Sequence, residues 1–487
     1  MELDERLALI NDVGEEITTK EDLAKLLEEK KHPIAYDGFE PSGNIHIAQG
    51  LLRAININKM VKAGFKFKML VADWHAAANN KFEGDMDKIH VAGKYFIEVW
   101  KACGMKDENI EFVWVSDLTK DPEYWKLVLK IARISTLDRV KRCSQIMGRG
   151  SEATLSAAQI LYPCMQAADI FYLKADATQL GMDQRKVNML AREIGEKIGY
   201  WKPVVISHHM LMGLGTPMPN IDTIDKVQYN FQIEINDDIF PRLNDLKNNG
   251  FGDINKITLF KNKLSEVLFN YEFSKNKTFM FLAMDNKKTL NKYLEDIYKT
   301  TDNLIGICEG RTSHEQLTPQ KYFDSQIDYI MQELNAFEKA VIQKVKEYNE
   351  HRFMSLKMSK SRPDSAIFMT DTEEDIKRKI KKAHCPERIV EENPVLEYCK
   401  YIIFEKLKEN DASFEVTRPQ EHGGNLSINS YKELVELYSQ GALHPVDLKN
   451  SVAYYINEFI KPVREHFEKN HHAKELKEKV LSYQVTR

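Results

Sequence analysis

Several features that mark whole classes of protein are missing from this chain of 487 residues. It contains no run of about 18 apolar residues, so the sequence predicts no membrane-spanning helix. Its six cysteines form neither a Cys-x-x-Cys pair nor a spacing that suits metal ligation. This pattern favours reduced thiols in a cytoplasmic protein, and no metal site is expected. The acidic N-terminus lacks the character of a signal or transit peptide.

An excess of positive charge is also missing. The chain has 69 lysines and arginines against 73 aspartates and glutamates, a formal net charge of −4. Any contact with nucleic acid would therefore depend on a local basic patch. Hydrophobic residues make up 43% of the chain, which is typical of a globular protein with a sizeable core divided among two to four domains.

The most informative segment is 34–50, which contains a strand pattern followed by a turn. The pattern predicts a strand over 34–39, a turn at 41–43 and then a helix that continues through Val61. A second buried strand is predicted over 67–72, which completes a βαβ unit. Such turns present backbone N–H groups and the positive end of a helix dipole to an anion.

This turn carries neither the Gly-x-Gly-x-x-Gly pattern nor the Walker A pattern. Instead, Ser42, His46 and Gln49 would place small polar side chains at the start of the predicted helix. A capped helix with a solvated histidine would explain the same residues. The segment therefore predicts an anion-binding turn without identifying the anion.

A second informative segment, 153–173, contains no Lys, Arg or Glu. Within it, Tyr162, Gln166 and Asp169 stand at i, i+4 and i+7 and would share one helix face. A polar stripe on an apolar helix indicates either a satisfied network in the core or a buried ligand, and both remain open here. Pro163 is expected to kink this helix or to confine its regular part to the residues that follow.

Further polar residues stand at predicted ends of strands and helices. His75 follows the strand over 67–72, at the end where open parallel sheets bind ligands. Asp183 and Gln184 stand at the start of a helix predicted over 185–198, where Asp183 would also serve as an N-cap.

The remaining pattern divides the chain into four parts. Residues 1–215 are expected to form a Rossmann-like α/β domain with a parallel sheet, preceded by two short helices over 4–30. Residues 216–352 are rich in Asn and Lys and predict an inserted, mostly helical domain of unknown role. Residues 353–371 return to the first domain and include a short strand at 365–369. Residues 372–487 predict a helical C-terminal domain with a turn-rich stretch at 411–430.

The return segment contains Lys-Met-Ser-Lys-Ser at 357–361, which by itself would indicate only a surface loop. It follows the turn with His46 and the polar stripe, and in that order the parts resemble a class I aminoacyl-tRNA synthetase. The paired signatures of that class are His-Ile-Gly-His and Lys-Met-Ser-Lys-Ser. The chain is most similar to the tyrosyl-tRNA synthetases of the archaeal and eukaryotic cytosolic type. The similarity covers about 30–214 and 353–468 and includes the motifs at 36–42, 162–169, 181–186, 423–425 and 443–451.

The resemblance implies three groups of site residues. The tyrosine pocket would contain Tyr36, His75, Tyr162, Gln166, Asp169 and Gln184. The ATP site would contain Gly38, Glu40, Gly43, Ala48, Gly181 and Asp183. The catalytic groups that face the ATP phosphates would be Ser42, His46, Gln49, Lys357 and Lys360.

The resemblance also implies the reaction and the partners. The enzyme would use ATP, accompanied by Mg²⁺, to convert L-tyrosine into tyrosyl-adenylate with release of pyrophosphate. It would then transfer the tyrosyl group to tRNA(Tyr), as a homodimer that does not associate with membranes. In a C-terminal anticodon-binding domain, His422, His444 and Asp447 would approach the anticodon, although His444 is equally suited to capping a helix.

The sequence departs from the family pattern in the first signature, which reads His46-Ile-Ala-Gln49. Ala48 replaces the glycine that packs under adenine. Gln49 replaces a histidine, and a glutamine can donate a hydrogen bond but cannot carry charge.

Two alternatives to this family remain. A tryptophanyl-tRNA synthetase resembles this chain over 357–368, but Tyr36 with Asp169 argues against it because indole has no hydroxyl. A catalytically silent RNA-binding or scaffold protein on the same fold would explain the altered signature and the insertion.

Overall fold

The computed structural model describes residues 1–105, 108–147, 154–221, 224–272, 277–358 and 363–483 of the chain. The strands in these ranges are β1 (Glu16–Thr18), β2 (Ile34–Phe39), β3 (Lys66–Val71), β4 (Ile110–Trp114), β5 (Ala177–Gly181), β6 (Val204–His208), β7 (Phe414–Val416) and β8 (Leu426–Ile428). The helices up to β6 are α1 (Leu3–Val13), α2 (Lys20–Glu29), α3 (Leu51–Lys62), α4 (Asp73–Ala78), α5 (Met86–Ala102), α6 (Val115–Leu118), α7 (Pro122–Ile134), α8 (Leu137–Cys143), α9 (Ala157–Tyr172) and α10 (Arg185–Ile194). The later helices are α11 (Ile224–Phe231), α12 (Phe240–Asn249), α13 (Ile254–Glu272), α14 (Lys277–Cys308), α15 (Pro319–Leu356), α16 (Glu373–Lys382), α17 (Pro394–Tyr398), α18 (Phe404–Lys408), α19 (Tyr431–Ser439), α20 (Pro445–Lys469) and α21 (His471–Ser482).

The main sheet has the strand order β1-β6-β5-β2-β3-β4. Neighbouring strands are parallel, except that β1 is antiparallel to β6. In the β2–α3–β3 unit, Ile34 pairs with Lys66 and Phe39 pairs with Val71. The predicted Rossmann-like α/β fold is therefore confirmed.

The order of the strands reverses at β2. The chain adds β3 and β4 on one side of β2, whereas β5 and β6 lie on its other side. Such a reversal leaves a crevice at the carboxyl ends of β2 and β5, which is where open α/β sheets bind ligands.

The two faces of the sheet belong to different apolar clusters. In β3, Phe67 and Met69 pack in one cluster, whereas Leu70 packs in the other, because successive side chains of a strand point to opposite faces. Tyr36 of β2 belongs to the same cluster as Leu70. That cluster includes the apolar residues of α9, so Tyr36 and α9 lie on the same side of the sheet.

A short strand near the N-terminus was not predicted. Residues 4–30 form the two expected helices, but Glu16–Thr18 between them is β1, which pairs with Val205–Ser207 of β6. Three residues are too few to show an alternating pattern, and the partner strand lies nearly 190 positions away in the sequence. Only tertiary pairing makes this segment a strand.

The helix predicted to begin directly after the turn at 41–43 begins later, at Leu51. The preceding residues are held extended, because Ile47 N donates to Ile367 O (2.8 Å) and Met369 N donates to Ile45 O (2.9 Å). The prediction of a strand at 365–369 is also wrong. A 3₁₀ turn covers Pro363–Ser365, and the residues after it form only a single bridge, between His46 and Phe368.

Helix α9 begins at Ala157, before Pro163, so of the two alternatives predicted for this proline the one that confines the regular part of the helix to the residues after it is wrong. Ser156 is the N-cap, and a capping box with Gln159 anchors the first turn. The Ser156 hydroxyl accepts from Gln159 N (3.3 Å), and the Gln159 side chain accepts from Ser156 N (3.0 Å).

The chain divides into two compact units, Met1–Pro217 with Ser355–Arg487, and Met218–Met354. The second unit is helical, as predicted for the insertion, and has an apolar core of its own. Fully buried members of that core include Leu243, Leu264, Ile297, Ile327, Ile330 and Val341.

The C-terminal part of the first unit is helical, as predicted, apart from a hairpin in the turn-rich stretch. Strands β7 and β8 pair Phe414 with Ile428. Gly423 and Gly424 between them have φ values of +93° and +70°, which favour glycine. Across the part of the chain that the structure describes, no helix has the length and apolar character needed to cross a membrane.

Loss of packing inside the second unit should destabilise that unit. Ile330 is fully buried in α15, whereas the neighbouring Tyr329 is 39% exposed. We expect Ile330→Ala to lower the free energy of unfolding of this unit by about 2–4 kcal/mol and Tyr329→Ala by less than about 0.5 kcal/mol. Hydrogen exchange of peptides from α12 and α15 measures this effect. Equal protection in both variants would contradict an independent core.

Candidate active site

A cavity of about 260 Å³ opens at the carboxyl ends of β2 and β5. It is lined by nearly all of the residues that the sequence assigns to a site. These are Tyr36, Gly38, Glu40, Ser42, His46, Ala48, Gln49, His75, Tyr162, Gln166, Asp169, Gly181, Asp183, Gln184 and Lys357. Gly43 does not line the cavity, and Lys360 lies outside the described residues.

One wall of the cavity contains a buried carboxylate. Asp169 is 1% exposed, and its Oδ2 lies 3.1 Å from His75 Nε2. Burial opposes the charged form of His75, but the Asp169 carboxylate beside it, together with Glu40 and Asp73, raises the pKa of this histidine. The raised pKa favours the protonated form of His75, which would offset the charge of the buried carboxylate.

The other oxygen of Asp169 has a partner that the sequence analysis missed. Asp169 Oδ1 accepts a hydrogen bond from the hydroxyl of Tyr124 in α7 (2.8 Å). Burial and the Asp169 charge raise the pKa of Tyr124 well above its usual value. Tyr124 occupies an ordinary core position of an amphipathic helix, so no sequence signal distinguishes it.

Tyr36 reaches the same wall from β2. Its hydroxyl is buried beside the Gln166 side chain but, within the described residues, makes no well-formed hydrogen bond. Burial, followed by the charges of Asp169 and Asp37, raises its pKa well above the usual value, so the hydroxyl keeps its proton. A buried hydroxyl without a hydrogen bond has capacity for one more polar partner.

Glu40 is the centre of a second polar group in the cavity. Its carboxylate accepts from Tyr162 OH (2.7 Å) and from Asn79 Nδ2 (3.0 and 3.1 Å). Lys81 Nζ lies 3.6 Å from Glu40 Oε2. The ring of Tyr162 packs edge-on against His75, with centroids 4.9 Å apart, which connects this group to the Asp169 wall.

The two glutamines predicted for the site contact each other. Gln166 Nε2 donates to Gln184 Oε1 (3.1 Å), and Gln184 Nε2 donates to Ile146 O (3.3 Å). The stripe of Tyr162, Gln166 and Asp169 on α9 therefore faces the cavity along its length.

A buried charge pair in the cavity lining was also missed. Asp37 Oδ2 lies 3.0 Å from Arg53 Nε, and both side chains are less than 10% exposed. Burial raises the pKa of Asp37 to about 7, although Arg53 and the Gly38 N–H favour its charged form. Arg53 also contacts the ring of His208, whose pKa burial and the arginine charge hold well below its usual value. An arginine within the apolar face of α3 is the one sequence signal that could have indicated this pair.

The residues predicted to face phosphates lie in the loop and turn before α3 and not in the first turn of the helix. Gln49 N and Gly50 N both donate to His46 O (2.9 Å each), and Trp100 Nε1 donates to Gln49 O (2.9 Å). Lys357 reaches the same cavity, where its Nζ lies 3.0 Å from Asp183 Oδ2.

Two glycines in the cavity wall differ in what surrounds them. A Cβ on Gly181 would lie 2.4 Å from Met210 Sδ and 2.6 Å from Asp183 Oδ1, so any side chain there would displace the ends of these two side chains. A Cβ on Gly38 would meet only the Leu70 side chain, at an ordinary 3.5 Å. Internal packing therefore does not explain Gly38.

The residues predicted to approach an anticodon lie in the C-terminal helical part. His444 is the N-cap of α20, and its Nδ1 accepts from Val446 N (3.2 Å). Asp447 lies in the first turn of the same helix. His422 lies in a 3₁₀ turn before the glycine pair, and its side chain is outside the described residues.

Comparison with known proteins connects this site to a family. The model of the class I tRNA synthetases for tryptophan and tyrosine matches residues 28–217 and 354–461. A tyrosine–tRNA ligase of Arabidopsis thaliana, described as cytoplasmic, is 37% identical over all of this chain and 90% of its own length.

Solved structures agree. The tyrosyl-tRNA synthetase of Leishmania major in complex with tyrosinol is 32% identical, with a TM-score of 0.67, over 100% of this chain. This chain covers 61% of the length of that Leishmania chain. The tyrosyl-tRNA synthetase of Pyrococcus horikoshii complexed with L-tyrosine is 28% identical, with a TM-score of 0.66, over 98% of this chain and 100% of that chain. The chain belongs to the tyrosine–tRNA ligases within the class I tRNA synthetases.

Proposed function

We propose that the cavity binds L-tyrosine and ATP, forms tyrosyl-adenylate with release of pyrophosphate, and passes the tyrosyl group to tRNA(Tyr). The observation that carries this assignment is the buried pair of Tyr36 and Asp169 in one cavity. A phenol hydroxyl can donate to the carboxylate and accept from the Tyr36 hydroxyl. Such a ligand satisfies two buried groups at once.

The α-ammonium group of tyrosine would be held by the polar groups opposite. Tyr162 OH already donates to Glu40, so its oxygen remains able to accept. The side-chain oxygen of Gln184 is held by Gln166. Together, a carboxylate and neutral acceptors suit an ammonium ion better than a neutral group.

The ATP ribose would lie against Gly38, Gly181 and Asp183. A close approach of the ribose would explain Gly38, because a Cβ there would make only ordinary contacts with Leu70 and the packing of the protein alone does not require glycine. Asp183 accepts from Lys357 in the present structure, so binding of a ribose hydroxyl would release the lysine toward the phosphates.

The reaction needs positioning and charge stabilisation more than covalent chemistry. The tyrosine carboxylate attacks the α-phosphorus of ATP, and pyrophosphate leaves as negative charge spreads over the phosphate oxygens. Ser42, His46 and Gln49, with Lys357 and Lys360, are the proposed donors to that charge. Each donor that binds only in the transition state contributes about 2–4 kcal/mol, or roughly 10²–10³ in rate.

Mg²⁺ is proposed to arrive with the ATP phosphates as part of the substrate. Within the described residues, no group of three or more His, Cys, Asp or Glu side chains is arranged to hold a metal ion.

The protein is proposed to act in the cytoplasm. His422, His444 and Asp447 are proposed to approach the anticodon from the C-terminal helices, where the capping contact of His444 leaves its ring exposed.

The first test is ATP–pyrophosphate exchange with tyrosine, with tryptophan and without amino acid. We expect exchange that depends on tyrosine alone, because tryptophan has no hydroxyl for the Tyr36–Asp169 pair. Exchange that depends on tryptophan would instead identify tryptophan as the amino acid that this enzyme activates. Absence of exchange, with tRNA binding retained, would favour a silent RNA-binding protein on this fold.

The second test concerns discrimination between tyrosine and phenylalanine. We expect Asp169→Ala to abolish most of the discrimination, measured as the ratio of kcat/KM for tyrosine to kcat/KM for phenylalanine. We expect Tyr36→Phe to reduce this ratio by roughly 5- to 150-fold, since each lost hydrogen bond to a buried group costs about 1–3 kcal/mol. Tyr124→Phe is the matched control, because it removes a contact with Asp169 without contacting the substrate. An unchanged ratio in both Asp169→Ala and Tyr36→Phe would refute the pocket assignment.

A homodimer is also proposed, and an exposed apolar face supports it. Leu129 and Leu137, on α7 and α8, are 62% and 54% exposed. Trp74 and Trp125 pack edge-on close to the same helices, with centroids 6.3 Å apart. Trp125 and Leu129 stand at i and i+4 on α7 and so share a face of that helix. Exposed apolar side chains on one helix face are typical of an interface, and a second copy of the chain is the proposed occupant.

The third test changes this face. We expect Leu129→Glu to convert a dimer into a monomer in light scattering after size-exclusion chromatography, because it would bury a charge in the interface. Leu481→Glu, at an exposed leucine of α21, is the control and should leave the mass unchanged. A wild-type protein of monomeric mass would refute the proposal.

A further inference from the structure

His209 directly follows β6 and contacts carboxylates from two distant parts of the chain. Its Nδ1 lies 3.3 Å from Glu15 Oε2, in the segment between α1 and β1. Its Nε2 lies 3.2 Å from Glu397 Oε2, in α17 of the C-terminal helices. The histidine therefore connects the N-terminal and the C-terminal parts of the first unit at the wall of the active-site cavity.

The ring of His209 is held in a fixed orientation. It stacks on Tyr401, with centroids 4.3 Å apart and an angle of 10° between the planes. Burial opposes the charged ring, but the contacts with Glu15 and Glu397 raise the pKa of His209 to about 9. An imidazolium with a carboxylate at each nitrogen is thus present at neutral pH.

Glu397 has a second partner, and that partner leads to the Lys-Met-Ser-Lys-Ser segment. The same Oε2 atom that faces His209 accepts from Met212 N (2.9 Å). Met212 in turn forms a bridge with Lys357, and Gly213 N donates to Leu356 O (2.7 Å). The next residue, Leu214, donates from its N to Ser365 O (2.9 Å).

The segment at 212–214 therefore lies against Leu356 and Lys357 at the start of the signature and against Ser365, which follows it in the chain. A Cβ on Gly213 would lie 3.1 Å from Ser365 O and 3.2 Å from Lys357 O. A displacement of this segment would move the backbone of Lys357, whose ammonium group lies in the cavity beside Asp183.

We propose that His209 is a positioning residue for Lys357. Its imidazolium fixes Glu397, Glu397 fixes the 212–214 segment, and this segment holds Lys357 at the edge of the ATP site. The inference depends on the proposed function, because Lys357 is assigned there to the ATP phosphates.

The substitution His209→Gln removes the charge and keeps a side chain that can form one hydrogen bond. We expect kcat/KM for ATP in pyrophosphate exchange to fall roughly 10- to 100-fold, the effect expected for a small misplacement of a catalytic group. KM for tyrosine should stay within about twofold, since His209 does not contact the Tyr36–Asp169 wall. Glu397→Gln retains an acceptor for Met212 N and should show a smaller loss of the same kind.

His466→Ala is the matched control. His466 Nε2 lies 2.8 Å from Glu98 Oε2 and also joins a C-terminal helix to α5, but neither residue lines the cavity. We expect it to lower the melting temperature without a specific change in KM or kcat for ATP. If His466→Ala and His209→Gln affect ATP and tyrosine alike, His209 has only a structural role and the inference is wrong.

The pH dependence gives a second readout. The charged groups around His209 are Glu15, Glu397, Lys400 beside Tyr401, and Arg53 behind the neutral His208. Because the folded pKa is raised, the contribution of the imidazolium is complete below about pH 6.5 and is lost as the pH rises through about 9. The ratio of kcat/KM for ATP between wild type and His209→Gln should therefore approach one above about pH 9. A constant ratio would overturn the role of the charge.

A double-mutant cycle with Lys357→Ala identifies the route of the effect. In that background, His209→Gln should change kcat/KM for ATP by no more than about twofold, because its target is already absent. If His209→Gln lowers kcat/KM for ATP by its full factor again in the Lys357→Ala background, the inference is wrong and the proposed function is unaffected. If Lys357→Ala by itself leaves exchange unchanged, both the inference and the proposed role of Lys357 fail.

Discussion

The architecture of the active site depends on one carboxylate that is withdrawn from water. Asp169 is nearly completely buried, and an isolated charge in such a position would be very costly. The protein compensates it with His75 from α4 and with Tyr124 from α7. Because these partners come from separate helices, satisfying one charge fixes three helices relative to each other around the cavity.

Several other polar groups of the cavity are paired with each other within the protein. Gln166 contacts Gln184, Tyr162 contacts Glu40, and Lys357 contacts Asp183. A substrate that replaces such contacts exchanges one hydrogen bond for another, so the net gain per contact is modest. The buried hydroxyl of Tyr36 is different, because a phenol group there adds a hydrogen bond. Selectivity for tyrosine is therefore expected to depend mainly on the part of the cavity wall that contains Tyr36 and Asp169.

The inserted unit interrupts the chain between the 212–214 segment and Lys357, yet the two sides remain joined within the first unit. The backbone pairs from Gly213 to Leu356 and from Leu214 to Ser365 hold them together. Since the entropy of closing a loop grows only with the logarithm of its length, a long insertion at this position costs little once its ends are fixed. The insertion also has an apolar core of its own, so the packing within that core offsets the entropy lost when its residues become ordered.

The sequence by itself determined the parallel βαβ framework, the helical insertion and most of the residues that line the cavity. Periodicity and short-range spacing encode these features locally, as in the stripe of α9. Tertiary structure alone decided which side chains complete the site. Tyr124 and His209 have no local signal, and the Asp37–Arg53 pair has only an arginine within the apolar face of α3, because the partners of all these side chains come from distant segments. The same reason explains β1 and the bridge between His46 and Phe368, since a strand or a bridge exists only through a partner that local sequence does not specify.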